Sequence, residues 1–343
     1  MSTSLPKLAN VVILRSFAIM AVVLYHCYCP WLDAWNWINT PIRPIYSFFM
    51  EVMLVGRMPL FVFVSGYLFS HLYIDRGKYH HFIPFLNNKF KRLLIPLFLF
   101  SALMALCLNK NYINMIIGND CYHLWFLKML FWSFLICWVI ASRIRSVFLD
   151  LLCLAISIAL MFIPSPNILG LSQLSKYFVF FLGGYLFYKY RHNISFIYKR
   201  PFGISIFILY ILLCGLCAIR YSENLPLAYS DIIHSDKIIV LSRYILRPIM
   251  IIMAFILVDW FISNRDIGFT RFFDSLNKLS YGIYLFHMLF IQLIYTYGLN
   301  QAKILFSQYY IAMPIIMFLV VFSTSASITY LLHKTKWGKW LIG

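Results

Sequence analysis

The stretch from Leu14 to Cys29, LRSFAIMAVVLYHCYC, is apolar almost throughout, yet it carries Arg15 near one end and His26 near the other. A guanidinium holds anions through paired N–H donors, and an imidazole exchanges a proton near neutral pH. An α-helix turns 100° per residue, so the eleven-residue separation leaves the two side chains within about 20° of each other and roughly 16 Å apart along the axis. They share one stripe of a helix. Charge inside a bilayer costs at least a few kcal/mol, so a shared stripe of this kind is expected to face a bundle interior or a wet cavity. The plainer alternative is that Arg15 snorkels to the inner interface and His26 to the outer one.

More polar groups follow in apolar surroundings. The segment SFFMEVMLVGRMPLFVFVSGYLFSHLY places Glu51 at about the depth of His26, where a carboxylate would raise the basicity of the ring and fix its tautomer. Arg57 lies deeper, and Pro59 after it is expected to kink the helix and free a carbonyl near the guanidinium. Ser65 and Gly66 read first as a close helix contact and only second as part of a site. In NNKFKRLLIP, Lys89, Lys91 and Arg92 stand at the inner membrane surface. The positive-inside rule suffices to explain them, and the functional reading is a dock for a phosphorylated cytosolic donor. In CYHLWFLKML, Trp125 fits an interfacial aromatic belt, whereas His123 and Lys128 are less easily dismissed. In LSYGIYLFHML, His287 falls near the middle of a span, where a satisfied interior histidine is the plainer reading.

These residues need elements to position them, and composition says which kind. Of 343 residues, 62% are hydrophobic and only 12% charged. A soluble domain carries about 25% charged residues, so this chain reads as an all-α, polytopic membrane bundle. Ten apolar segments are expected to span, at about 10–29, 46–73, 93–109, 122–141, 147–163, 174–189, 202–220, 240–262, 279–297 and 308–332. With the N-terminus inside, the outer loops hold only Arg43, Lys110, Arg220, Lys237 and Lys303, and most other basic residues fall in inner segments. That bias predicts both termini in the cytoplasm, and it accounts for the formal charge of +18 without a nucleic-acid partner. Arg15 interrupts the first apolar run, which is therefore expected to be a span and not a cleaved leader. The whole chain, 1–343, is expected to form one transmembrane domain with no separate soluble domain. The CxxC of Cys214 and Cys217 sits in ILYILLCGLCAI with no His or acidic neighbour, and no metal site is expected.

Taken in order, these segments resemble the integral-membrane acyltransferase family 3. Arg15, ten intervening residues and His26 are similar to that family's Arg-x10-His signature. RMPLFVFVSGYLF resembles its Phe-rich segment ending in Ser-Gly-aromatic-Leu, and KFKRLLIP resembles the basic cluster before Ile-Pro. YHLWFL and SYGIYLFH resemble its later His-containing segments. RMPLF…SGY together with YHLWFL is most similar to the sugar O-acetylase branch. Lys91-Arg92 stands where many members show two or more arginines, which implies a weaker phosphate grip.

The resemblance implies transfer of an acyl group, usually acetyl, from cytosolic acyl-CoA to a hydroxyl of a cell-surface glycan or a lipid-linked sugar. Acyl-CoA would be a substrate, with no bound cofactor. The resemblance further implies a multi-pass protein of the bacterial cytoplasmic (inner) membrane, in contact with lipid. Lys89, Lys91 and Arg92, with Arg15, would hold the CoA phosphates. His26 and His123 would take the hydroxyl proton or carry the acyl group, with Glu51 beside His26. Arg57 would steady the oxyanion, while Ser65, Trp125, Lys128 and His287 would line the site. A polytopic transporter or flippase for a glycan precursor or small solute is the competing reading, since buried Arg, His and Glu with proline-broken helices also mark transporters.

Overall fold

The computed structural model describes residues 8–31, 48–49, 55–118, 122–219, 236–262, 267–298, 309 and 311–342. Glu51 lies outside the described residues. Those described form helices and turns, with no strand among them. In chain order the helices are α1 (Ala9–Tyr28), α2 (Arg57–Ile74), α3 (Phe82–Leu108), α4 (Tyr122–Arg143), α5 (Val147–Leu160), α6 (Leu171–Lys189), α7 (Arg200–Ile219), α8 (Asp236–Ile262), α9 (Ile267–Leu293), α10 (Met313–His333) and the short α11 (Lys336–Ile342). Each of the ten apolar segments read from the sequence overlaps one of α1–α10. Six are long and apolar enough to cross a membrane: α1, α3, α4, α8 from Tyr244, α9 with its extension to Gly298, and α10. The apolar stretches of α5 (Val147–Leu160) and α7 (Arg200–Gly215) are shorter. The remaining two carry more polar side chains, among them Arg57 and His71 on α2 and Lys176 and Lys189 on α6.

The described residues group into two compact units, 1–61 with 193–280 and 62–192 with 281–343. In the first, α8 packs against both α1 and α7. Val55, Tyr210, Cys214, Leu246 and Ile249 form its buried cluster. The Ser16 hydroxyl donates to Val12 O at 2.9 Å and to Phe273 O at 3.3 Å, tying α1 to the start of α9. Gly203 lets α7 close on α8, since a Cβ there would lie 2.6 Å from the Trp260 ring.

In the second unit α6 packs against α4 and α5. Helices in lipid gain little from hiding apolar surface from one another, so close packing has to hold them. Gly66 on α2 and Gly184 on α6 provide it. A Cβ on Gly66 would stand 1.9 Å from Phe181 O, and one on Gly184 would stand 2.0 Å from Phe63 O. The reading of Ser65-Gly66 as a helix contact matches this geometry. Around it Phe69, Phe85, Phe134, Phe181 and Tyr185 pack ring on ring, with centroids 4.9–6.5 Å apart.

Pro96 shapes α3. It lacks the N–H that would donate to Arg92 O four residues back. The helix widens there into a π-helical turn, Phe90–Leu94, and the Tyr281 hydroxyl donates to the Arg92 carbonyl. Such turns mark strain or function in otherwise regular helices.

Candidate active site

The residues first singled out for chemistry gather on α1 and the start of α2, within the first unit. Arg15 and His26 both lie within α1 and are both half-buried. The Arg57 guanidinium carbon sits 3.3 Å from the centroid of the Tyr25 ring, a stacked cation–π contact. The Tyr25 and His26 rings meet edge to face at 5.6 Å. Arg15 approaches the Phe61 ring at 5.9 Å. The start of α2 thus lies along α1, with Arg57 reaching its His26 end.

Pro59 does not kink α2. The helix begins at Arg57, after a turn at Val55-Gly56, and its first helical hydrogen bond runs from Leu60 N to Gly56 O at 2.7 Å. A proline in the first turn sacrifices no bond, because the first four N–H groups of a helix have no intrahelical partner. The expected freed carbonyl is replaced by a different feature. Arg57 stands at the helix N-terminus, where its charge adds to the positive end of the helix dipole. Stacking on Tyr25 offsets the cost of placing a cation there.

The second unit carries its own polar groups. His123 and His287 are distant in sequence, yet their rings meet at 4.9 Å and an interplanar angle of 66°. Both are buried. The Tyr284 hydroxyl donates to the His123 carbonyl, and its ring lies 5.0 Å from the His123 ring. His287 Nδ1 lies 2.7 Å from Tyr284 O and 3.1 Å from Ile283 O. Those two acceptors select the Nδ1–H tautomer and leave the lone pair on Nε2. Trp125 packs on Tyr177 of α6 with centroids 5.3 Å apart. Ser65 is half-buried beside Gly66.

The basic trio of α3 divides. Lys91 and Arg92 are exposed on the π-helical turn, whereas Lys89 is buried among aromatic rings and does not stand at the surface with them. Lys128 is also accounted for. Its ammonium donates to Met115 O at 3.4 Å, Ile116 O at 3.0 Å and Gly118 O at 2.8 Å. It closes the C-terminus of the short helix Tyr112–Ile117, where a cation is favourable. Lys128→Met is expected to cost about 1–2 kcal/mol of stability. Turnover per folded molecule should stay unchanged. A thermal melt beside a rate normalised to folded protein checks both, and a lost rate with an unchanged melt would return Lys128 to the site.

Sequence reasoning missed a cluster at the end of α6. Consecutive residues Tyr188, Lys189, Tyr190 and Arg191 clasp two carboxylates. Lys189 Nζ and the Tyr190 hydroxyl reach Asp150 Oδ2 at 2.5 and 2.6 Å. The Tyr188 hydroxyl and Arg191 hold Asp75, the latter at 3.2 Å. Burial pushes the Asp75 carboxyl up, but Tyr188 and Arg191 outweigh it and leave it below its ordinary value. The only signal in the sequence was the alternation of Tyr with Lys and Arg, which an interfacial belt explains equally well. Tyr25 was missed for a similar reason, since nothing in the chain order points it at Arg57.

Among the described residues no group of three or more His, Cys, Asp or Glu could hold a metal ion. No curated protein and no solved structure matches this chain. The family model Acyl_transf_3, described as an acyltransferase domain, matches residues 8–334. That match covers nearly the whole chain, from α1 to the end of α10, and includes every candidate residue above. With its apolar helices, this multi-pass membrane protein belongs to the acyltransferase family 3 and is an enzyme that transfers acyl groups other than amino-acyl groups.

Proposed function

We propose that this protein is a sugar O-acetyltransferase, moving acetyl from cytosolic acetyl-CoA to a hydroxyl of a cell-surface glycan or its lipid-linked precursor. The observation that carries the reading is the stacking of Arg57 on Tyr25, which brings a guanidinium and a helix N-terminus beside His26. His26 takes the proton of the acceptor hydroxyl as its oxygen attacks the thioester carbonyl. The tetrahedral oxyanion forms facing Arg57 and the first-turn N–H groups of α2, both of which favour negative charge. Collapse breaks the carbon–sulfur bond, and the imidazolium returns its proton to the departing CoA thiolate. Arg15, on the same helix as His26, attracts the donor from the inner side. Exposed Lys91 and Arg92 take CoA phosphates by charge-assisted hydrogen bonds. In the alternative two-step route His123, whose ring meets that of His287, attacks the thioester and releases the CoA thiolate, and the acceptor hydroxyl then displaces the imidazole from the acyl carbon. Glu51 is assigned to orient His26.

The topology that suits this scheme has ten spans with both termini cytoplasmic, in a bacterial inner membrane. Helices at all ten apolar segments and the inward bias of Lys and Arg support it. Protein purified in detergent should transfer label from acetyl-radiolabelled CoA to a glycan acceptor, and surface glycans of cells lacking the protein should lose acetyl groups by mass spectrometry. Unchanged glycan acetylation together with no use of acetyl-CoA in detergent would end this reading and favour a transporter.

A further inference from the structure

Three aromatic rings enclose the Lys89 ammonium. Its Nζ lies 3.5 Å from the centroid of Phe134 on α4, 4.8 Å from that of Tyr79 and 5.6 Å from that of Phe85. The residue is 8% exposed. Tyr79 belongs to the loop between α2 and α3 and adopts φ of +75°. A bulky side chain takes that left-handed conformation only where its surroundings impose it. Here they do. Trp138 Nε1 donates to Tyr79 O at 2.8 Å, and the Tyr79 ring lies parallel to Phe69 at 6.4 Å. The same loop is anchored through Asp75 to Tyr188 and Arg191, and His80 Nε2 reaches Tyr73 O at 3.1 Å.

Lys89 and Arg92 are three residues apart and would share a face of a regular α-helix. A π-helical turn that begins at Phe90 interrupts that pattern, and Lys91 and Arg92 are exposed while Lys89 is buried. A phosphate could reach the Lys89 ammonium only by displacing an aromatic wall. We propose that Lys89 is a positioning residue: its caged ammonium locks the inner end of α3, so that the π-helical turn presents Lys91 and Arg92 to the donor's phosphates. This rests on the reading of acyl-CoA as donor. Tyr79 and Phe134 share the role, because they form the nearest walls of the cage.

The test compares opening the cage with removing its occupant in the full-length protein. Lys89→Met, Tyr79→Leu and Phe134→Leu should each raise the KM for acetyl-CoA about 10-fold, with kcat kept within about two-fold. The double variant Lys89→Met with Tyr79→Leu should be no worse than either single one, since both break one device. Lys89→Arg should restore the wild-type KM, because a guanidinium also stacks on ring faces. A direct phosphate ligand behaves otherwise: Lys89→Met alone raises KM, while opening the walls leaves it unchanged or lowers it. That pattern, or additive effects in the double variant, overturns the proposal. Amine labelling of the wild-type protein, read by mass spectrometry, covers the case in which cage variants fail to fold. Lys89 should stay unmodified with or without CoA, while Lys91 reacts and is slowed by CoA. Lys89 reacting as fast as Lys91 and slowed by CoA overturns the proposal. Wild-type protein that neither turns over nor binds acetyl-CoA removes the donor reading, and the labelling result still decides whether Lys89 is caged.

Discussion

Replacing His26 by alanine is expected to lower the proposed acetyl transfer by about 10²–10⁴-fold, the usual worth of a positioned general base. The half-buried ring lies beside the Tyr25–Arg57 stack, so its loss leaves the guanidinium in place. The effect should therefore fall on kcat, with the KM for acetyl-CoA nearly unchanged, because the proton is transferred only in the chemical step. His26→Gln keeps the bulk and a hydrogen-bonding end but cannot accept a proton at neutral pH, and it should be as slow as the alanine variant. Initial rates with labelled acetyl-CoA, normalised to folded protein, measure both. A His26→Gln enzyme at the wild-type rate would remove His26 from proton transfer. The proposed role of Arg57 predicts a companion loss, but His26 is the sharper probe because Arg57 also packs α2 on α1 through Tyr25.

Gly66→Leu is expected to remove most of the folded protein. Even a single Cβ at this position would stand 1.9 Å from Phe181 O and 2.8 Å from its carbonyl carbon. Those are backbone atoms of α6 and cannot rotate aside. The reciprocal contact at Gly184, where a Cβ would meet Phe63 O at 2.0 Å, shows that the two helices touch main chain to main chain. Forcing them apart loosens the aromatic packing around Phe69 and Phe181 and costs at least about 3 kcal/mol, the upper end for overpacking a core. Thermal unfolding of the detergent-solubilised protein reads the loss. Gly215→Ala is the control, since nothing lies within 4 Å of a Cβ there and alanine is the better helix former by about 1 kcal/mol. Equal melting temperatures for Gly66→Leu and the wild type would mean that α2 and α6 are not in backbone contact.

Much of this protein was legible in the chain alone. The ten apolar segments each overlap a helix, because a stretch too apolar for water has few ways to satisfy its backbone except by coiling. The order of Arg15, His26, SGY, KFKR and the later histidines was enough to point to the family that matches residues 8–334. A shared stripe for Arg15 and His26 followed from helix periodicity, and both do lie within α1. Local chemistry of this kind depends on neighbours a few residues apart, which sequence spacing encodes.

What needed the tertiary structure was every contact between distant segments. KFKR reads as three equivalent cations, and only the missing N–H of Pro96, the π-helical turn and the rings of Tyr79, Phe85 and Phe134 separate buried Lys89 from exposed Lys91 and Arg92. Lys128 reads as a charge two turns into a span, yet three carbonyls of another helix end occupy it. His123 and His287 meet although their chain positions say nothing of each other. Pro59 reads as a kink until the start of α2 at Arg57 puts it in a first turn. The physical reason is common to all four. Residue type and spacing set what a side chain can do and which face of its own helix it takes, whereas its partners, and hence whether a charge is caged, capped or offered to a substrate, depend on which other helices pack against that face.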